Sequence, residues 1–521
     1  MAQFSKIDRL TENIVGPVIV IIALVVAGAV GYFSGHGSIG LIASFVAFVV
    51  SLALVISLGR RIWVLVVFSW SLVGTTSLFP MAFRVVDIIV LFVFFAFFAL
   101  AALKLVRSRP KFDTGDWLVL INMGYLAVTF FRNPVGVSAL NSQLVGGRPY
   151  FNTFIAFLCY LILRKAAADE KSIRRIPFYI LLAATFTALA PMVGTISPAV
   201  GGALGEFYSG FAPAAAPAFD SGVAQDTESI GRLGSLSLVA PILMVALCAY
   251  FRPMTLLLPA YPGRFFLWLL TITLNLSTGF RSSIIGCAGY MAVGTIYWKR
   301  TRELFAMGFF AAVVLMFLAL GNGLVFRLPL SAQRTLAFLP GNWDPAVVRD
   351  AQDSTQWRLE MWQTVLTEER WIRNKLLGDG FGFTREDYYL MQNEQLGYHG
   401  FAEGIRQETQ LIVGAYHSGP LSAIRYVGVV GLILFLILLI YTARRAYRLT
   451  MRCWNTKFFK PVAFVTLQAV LYPFIFVFVF GAFENDLSRA LFTCGMIRLL
   501  DEGVTQESAM LPGEENKRRA F

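Results

Sequence analysis

The stretch GPLSAIRYVGVVGLILFLILLIY, residues 419–441, decides the class of fold. Arg425 is its one charged side chain, and the stretch is long enough to cross the ~30 Å hydrocarbon core of a bilayer as an α-helix. Strands of a membrane barrel are shorter and alternate between apolar and polar residues, which this stretch does not. The stretch therefore predicts a membrane-spanning helix.

The same kind of apolar stretch recurs along the whole chain. Of its residues, 57% are hydrophobic and 14% are charged, whereas soluble globular proteins are about 25% charged. The sequence predicts an all-α polytopic membrane protein with about fourteen transmembrane helices, and at least twelve. The predicted spans are residues 14–33, 38–58, 62–80, 85–105, 116–131, 151–168, 177–198, 235–251, 265–279, 282–298, 303–324, 419–441, 461–482 and 487–500.

The net charge of +13 is distributed in a way that indicates orientation and excludes a nucleic-acid partner. Lysines and arginines cluster in alternate short loops, the pattern that marks the cytoplasmic side of a membrane protein. It predicts cytoplasmic termini and an uncleaved first span, with a cleaved signal peptide near Ala27-Gly28-Ala29 as the alternative. The basic clusters are Arg60-Arg61 and residues 104–111, 164–175, 299–302, 444–460 and 517–519.

This orientation divides the chain into four parts. Residues 1–324 hold the first eleven spans with mostly short loops, and residues 325–418 form the largest polar segment, on the outer face between the eleventh and twelfth spans. Residues 419–500 hold the last three spans, and residues 501–521 form a cytoplasmic tail. A structureless loop as long as 325–418 is uncommon, so we expect helices there and the functional residues with them.

One helix of this outer segment can be predicted in detail. Asp353 followed by Gln356 is typical of a capping box at a helix start. The sequence WRLEMWQTVLTEERWIRNK, residues 357–375, continues the predicted helix, which ends at a glycine-rich turn over residues 376–382. That turn lacks the strand and the lysine of a nucleotide-binding loop.

Arg358 lies on the apolar side of this predicted helix. At helical spacing it shares a face with Met361, Trp362 and Val365. A guanidinium on an apolar stripe indicates an anionic ligand, with extension to lipid headgroups as the alternative.

Two further arginines lie at the predicted outer boundary of the membrane. Arg281, in LNLSTGFRSSIIG, falls between two spans, where an ionisable group is costly and is a functional candidate. Contact with lipid phosphate alone is the alternative for Arg281. Arg425 follows the start of the twelfth span, and a structural ion pair with Glu484 or Asp486 is the alternative to a substrate role.

His417 directly precedes the same span, where Ser418 is suited to cap the helix. Imidazole, with a pKa near 6.5, is suited to accept a proton at neutral pH, although a structural role is the alternative. Gly428 and Gly431 predict close packing of this helix. One histidine and isolated arginines on one face suit chemistry on a doubly charged phosphate group.

Three segments in this order, STGFRSSIIG, then STQWRLEMWQ leading to LLGDGFGF, then YHSGPLSAIRYVGVVGL, resemble the membrane O-antigen ligase and O-antigen polymerase superfamily. The resemblance covers roughly residues 230–440. Two departures concern the third segment: Ser418 follows the histidine where the family has Asn, and Arg425-Tyr426 stand where it often has an acidic residue.

The resemblance implies that Arg281 and Arg358 hold the diphosphate of an undecaprenyl-diphosphate-linked glycan, and that His417 is the general base. Arg232, in SIGRLGSLSL, resembles another recurring arginine region, and Arg232 and Arg425 are further candidates for substrate binding. The implied reaction is an inverting, metal-independent glycosyl transfer on the periplasmic face of a bacterial inner membrane. The implied acceptor is lipid A–core for a ligase or a lipid-linked glycan for a polymerase.

We expect no cofactor and no metal, because the outer loops contain neither cysteine nor an Asp-x-Asp motif. A transporter or flippase of lipid-linked oligosaccharides is the alternative function, but inverted repeats and charged residues near the bilayer midplane are not evident. A structural partner of an envelope-assembly complex is a third hypothesis. The clustering of polar groups on the outer face favours the glycosyltransferase.

Overall fold

The computed structural model describes residues 53, 57–76, 83–102, 112–134, 147–166, 168–211, 236–382, 410–479 and 483–509. The predicted span 14–33, most of 38–58, and Arg232 lie outside the described residues. The described chain is mostly helical, which confirms the predicted helical class.

Sixteen α-helices are described, together with one two-stranded antiparallel ribbon in which Thr75 faces Arg84. The helices are α1 (Val64–Ser69), α2 (Val85–Ala102), α3 (Thr114–Arg132), α4 (Gly147–Lys165), α5 (Glu170–Ile196), α6 (Pro198–Gly205), α7 (Leu236–Tyr250), α8 (Pro253–Leu256), α9 (Pro262–Ser277), α10 (Arg281–Tyr297), α11 (Glu303–Gly321), α12 (Leu330–Leu336), α13 (Pro345–Thr367), α14 (Gly419–Arg452), α15 (Phe459–Phe478) and α16 (Phe483–Ala509). The strands are β1 (Thr75–Thr76) and β2 (Phe83–Arg84), and 3-10 turns cover Gly59–Arg61 and Ser209–Phe211.

Several helices have the length and composition needed to cross a membrane. Among the described residues these are five, namely α3, α5, α11, α14 and α15. The apolar stretch Val85–Ala99 of α2 and the whole of α7 are shorter. Every predicted span from residue 85 onwards overlaps one described helix, while the count of fourteen spans stays a prediction.

The predicted span 62–80 is wrong as one continuous helix. Helix α1 ends at Ser69, and Gly74 adopts a φ of +144°, which a helix does not accommodate. The backbone N–H of Val85 then donates to the Gly74 carbonyl at 3.3 Å, and the ribbon β1–β2 follows. The apolar composition of this segment hid the break, because glycine is frequent in membrane helices as well.

Helix α14 packs against α3, α15 and α16. At its C-terminal end, Asp113 accepts from Arg445 at 2.5 Å and from Arg498, and Arg445 also donates to Asp501 at 2.8 Å. These ion pairs join the adjoining ends of α3, α14 and α16. They hold three helices in register at this end of the bundle.

The opposite end of α14 is broken by a kink at Gly428, whose φ and ψ are 70° and 179°. The segment 375–380 inserts into the kink and bonds to the backbone that the kink leaves exposed. A kinked helix in an apolar environment needs such substitute partners for its freed N–H and C=O groups. The bonds are Asp379 N to Arg425 O at 2.9 Å, Gly380 N to Tyr426 O at 2.9 Å, Val429 N to Lys375 O at 2.9 Å and Val430 N to Leu376 O at 3.2 Å.

Two glycines make this close approach possible. A Cβ on Gly378 would lie 2.5 Å from the Gly428 nitrogen, and a Cβ on Gly428 would lie 2.3 Å from the Leu376 carbonyl oxygen. Both glycines have positive φ, of 77° and 70°. The sequence predicted that Gly428 serves close helix packing, but its partner is the glycine-rich turn.

Helix α13 begins earlier and ends earlier than the sequence predicted. Pro345 occupies its first turn and the Asp344 carboxylate accepts from Ala346 N at 2.9 Å, so the capping box predicted at Asp353 is wrong. The cause is burial: Val347 is fully buried, so the helix continues past Asp353 towards its N-terminus. At the other end the backbone leaves the helix after Thr367, with Glu368 extended at φ −94° and ψ 121°.

We predict that Gly428→Ala destabilises the protein by about 2–4 kcal/mol, because the new Cβ meets backbone atoms and the residue requires a positive φ. The midpoint of thermal unfolding in detergent should fall accordingly. Gly124→Ala in α3 is the matched control, since a Cβ there meets nothing within 4 Å. An unchanged midpoint for Gly428→Ala would contradict the described kink.

Candidate active site

Helix α13 is the element on which the predicted site residues meet. Arg281 is the first residue of α10, and its guanidinium donates to the Ala351 carbonyl at 2.8 Å and to Thr355 Oγ1 at 3.1 Å. Both acceptors lie on α13, one turn apart. The predicted outer arginine of the 274–286 segment is therefore held against the helix of the large polar segment.

Arg358 lies on the same helix, three residues after Thr355, which corresponds to a rise of about 4.5 Å along the axis. The predicted apolar face is confirmed for its neighbours, since Met361 is 4% exposed and Val365 is fully buried. Arg358 itself is half-buried. Its cationic group is thus kept partly out of water, close to the Arg281 contact.

His417 approaches α13 from the segment before α14. The imidazole and the Trp357 ring meet edge to face with centroids 5.6 Å apart, and Trp362 Nε1 donates to the Tyr416 carbonyl at 2.8 Å. Tyr416, which directly precedes His417, is fully buried, and its burial fixes the backbone on that side of His417. The backbone of His417 has a φ of 49°, a conformation that is uncommon for residues other than glycine.

The start of α14 follows His417 as the sequence predicted. Ser418 is the N-cap residue, and its hydroxyl accepts from Leu421 N at 3.5 Å. The predicted cap is confirmed. The histidine therefore sits at a fixed position, one residue before a capped helix.

The three residues come together within one turn of α13. Arg281 contacts Thr355, His417 contacts Trp357, and Arg358 is the next residue. Since successive helical residues are rotated by about 100°, Arg358 points between the directions of the other two contacts.

Electrostatics reveal an interaction between two members of this group. Burial, and then the positive charge of Arg358, lower the pKa of His417 to about 4. The value near 6.5 expected from the sequence includes neither the burial of the ring nor the charge of Arg358. The imidazole is therefore neutral at pH 7 and able to accept a proton, but it is a weak base until an anion offsets the Arg358 charge.

Arg425 contacts the glycine-rich turn that follows α13. It donates to the carbonyls of Gly380 at 3.4 Å and Gly382 at 3.0 Å and forms an ion pair with Asp379 at 3.3 Å. Asp486, one of the two predicted partners, instead accepts from the Tyr472 hydroxyl. The side chain of the other, Glu484, lies outside the described part, and Arg232 does so as well.

Sequence reasoning missed Arg334 of α12. Its Nε donates to the Asp350 carboxylate and its terminal nitrogen donates to the Gly279 carbonyl at 3.1 Å. Helix α12 has only seven residues, too few for an apolar period to single out one side chain. The one available signal was a lone arginine among small and apolar residues in LPLSAQRTLAF.

Within the described residues, no three His, Cys, Asp or Glu side chains lie where they could hold a metal ion. Metal independence stays a prediction, since residues 383–409 of the same segment lie outside the described residues.

The helical fold and its apolar helices are those of a membrane protein. Residues 265–436 match a protein family described as O-antigen ligase. This match confirms the predicted resemblance to the O-antigen ligase and polymerase superfamily and supports a function of that type on membrane glycans. It covers about a third of the chain, from α9 to the first half of α14, and includes Arg281, Arg358, His417 and Arg425. No curated protein matches the chain.

We predict that Arg358→Gln raises the pKa of His417 above 4, because removing a like charge favours the protonated ring. Burial remains, so the value should stay below 6.5. The chain has three histidines, so NMR titration of protein labelled at histidine resolves this ring once His36 and His399 are replaced. A pKa that does not move in the variant would contradict the described proximity of the two groups.

Proposed function

We propose that this protein is a glycosyltransferase that moves a glycan from undecaprenyl diphosphate to an acceptor hydroxyl, with inversion at the anomeric carbon. The observation that carries the proposal is the convergence of Arg281, Arg358 and His417 on one turn of α13. Two guanidinium groups beside one neutral imidazole suit an anionic leaving group and a nucleophile that must lose a proton.

Arg281 and Arg358 bind the diphosphate of the donor. An arginine has five N–H donors, and the contacts of Arg281 to α13 use one N–H on each of its two terminal nitrogens, which leaves three donors. Guanidinium groups match phosphate oxygens in a bidentate manner and keep their charge when partly buried. In the transition state they stabilise the negative charge that develops on the leaving group, an effect of about 10²–10³ in rate per donor.

His417 acts as the general base. A ring nitrogen takes the proton of the acceptor hydroxyl while the hydroxyl oxygen forms the new bond to the anomeric carbon. The bond from that carbon to the diphosphate oxygen breaks, and its electron pair leaves with undecaprenyl diphosphate. Attack from the side opposite the leaving group inverts the configuration, and no metal is required because the arginines carry the neutralising charge.

Donor binding also prepares the base. In the free protein, burial and Arg358 hold the pKa of His417 at about 4. A diphosphate bound at Arg358 supplies negative charge, which favours the imidazolium and raises the pKa. The histidine therefore becomes an effective base when the donor is in place, which couples proton removal to the presence of the leaving group.

The site faces the periplasm of a bacterial inner membrane. This assignment rests on the basic clusters of residues 164–175, 299–302 and 444–460, which lie at the other ends of the neighbouring predicted spans. The acceptor is lipid A–core if the enzyme is a ligase, or a second lipid-linked repeat unit if it is a polymerase. Both reactions use the same donor chemistry.

The function is tested with full-length protein in lipid nanodiscs and an undecaprenyl-diphosphate-linked repeat unit, with product size followed with and without lipid A–core. Lengthening with donor alone identifies a polymerase, and transfer that requires lipid A–core identifies a ligase. Donor left untouched in both reactions contradicts the proposal and directs attention to flipping.

In the same assay, His417→Ala should lower kcat by about 10²–10⁴ while the protein stays folded and still binds donor. Arg349→Gln is the matched control, because Arg349 lies exposed on the same helix α13 and contacts only the Pro345 carbonyl among the described residues. Full turnover by His417→Ala would exclude the assigned base.

We expect the acid limb of kcat/KM for the donor near pH 4 and the acid limb of kcat at a higher pH. The rate falls when the base is protonated, kcat/KM reports the free enzyme, and kcat reports the complex in which the diphosphate has raised the pKa of His417. Coincident limbs in the two profiles would contradict activation of the base by the donor.

A further inference from the structure

Arg334 lies on α12, a short helix wedged between the α9–α10 turn and α13. Every residue from Ser331 to Leu336 is buried, and the Arg334 side chain is 10% exposed. A buried guanidinium is costly unless its charge is neutralised and its N–H groups are bonded. A carboxylate neutralises the charge of Arg334, and the guanidinium also donates to a backbone carbonyl. The positions of these two partners indicate which parts of the fold Arg334 joins.

The first partner is the carbonyl of Gly279, at 3.1 Å. Gly279 has a φ of +72° and forms the turn between α9 and α10, two residues before Arg281. Thr278 Oγ1 accepts from Phe280 N at 3.3 Å within the same turn. Arg334 therefore fixes the backbone from which the Arg281 side chain extends.

The second partner is the carboxylate of Asp350 on α13. The adjacent residue, Ala351, is the one whose carbonyl accepts from Arg281. Arg334 and Arg281 thus bond to neighbouring residues of α13. Burial lowers the pKa of Arg281, the positive charge of Arg334 lowers it further, and the Asp350 carboxylate raises it.

We propose that Arg334, with Asp350 as its counterion, is a positioning residue that sets the Arg281 guanidinium for the diphosphate of the donor. This inference rests on the proposed function. Arg334 touches neither substrate nor reacting atoms; it joins the turn before Arg281 to the helix that Arg281 contacts. Its planar fork donates to both partners in fixed directions, whereas the donors of a lysine ammonium rotate freely.

The test measures binding of undecaprenyl diphosphate to the full chain in lipid nanodiscs. Arg334→Gln should weaken binding about tenfold, and in turnover the loss should appear in the KM for donor with little change in the KM for acceptor. If Arg334 acts through Arg281, the double variant with Arg281→Gln should bind hardly more weakly than Arg281→Gln alone.

Asn322→Ala is the structural control. Asn322 donates to the Asn342 carbonyl at 2.7 Å and accepts from Leu328 N at 2.9 Å, so it braces the segment that carries α12. Among the described residues it has no hydrogen bond to Gly279 or α13. Its donor affinity should stay at the wild-type level. Should Arg334→Gln fail to fold, Asp350→Asn replaces it, since that variant removes the counterion and leaves the bond to Gly279.

Each remaining outcome has a definite meaning. If the wild-type protein binds undecaprenyl diphosphate and Arg334→Gln or Asp350→Asn binds it equally well, the inference is overturned and the proposed function stands. Additive losses with Arg281→Gln, or an equal loss in Asn322→Ala, assign Arg334 a general structural role and overturn it as well. Wild-type protein that does not bind undecaprenyl diphosphate overturns the proposed function itself.

Discussion

The exchange of backbone hydrogen bonds at Gly428 is the interaction on which the candidate site depends. The segment 375–380 replaces the partners that the kink removes from α14, so the middle of the large polar segment is tied into a membrane helix. The Asp379 carboxylate reinforces the turn by accepting from Arg373 N at 2.8 Å and Asn374 N at 2.9 Å, and it forms an ion pair with Arg425. The C-terminal end of α13 and the N-terminal start of α14 are thereby held at one place.

The two ends of the bundle use arginine differently. Around α3, α14 and α16, Arg445 and Arg498 contact carboxylates directly, and their role is to join helices. Arg281 contacts a carbonyl and a hydroxyl of α13, which are neutral groups and leave its charge available to an anionic ligand. Arg334 has both kinds of partner, because the Asp350 carboxylate neutralises its charge and the neutral Gly279 carbonyl accepts from it. A diphosphate site requires positive charge that is fixed in position and is not neutralised by a carboxylate.

Much of the candidate site could be predicted from single residues in unusual surroundings. An arginine at a membrane boundary, an arginine on an apolar face and a histidine before a capped helix are each visible in the sequence, and all three meet on α13. Features that depend on a distant partner could not be predicted. The capping-box pattern is present in the sequence at Asp353, but Val347 is buried and the helix extends past Asp353 towards Pro345.

The sequence by itself determined the class of the protein, because a run of apolar residues must satisfy its own backbone in lipid and can do so only as a helix. It also determined where most helices lie and which ionisable residues are exceptional. Only the tertiary structure decided that Gly428 is a kink, that Arg334 bonds to the turn before Arg281, and that the His417 pKa lies near 4. These properties arise from contacts between residues far apart in the chain, and local pattern does not record which distant backbone, charge or solvent-excluding side chain will lie beside a residue.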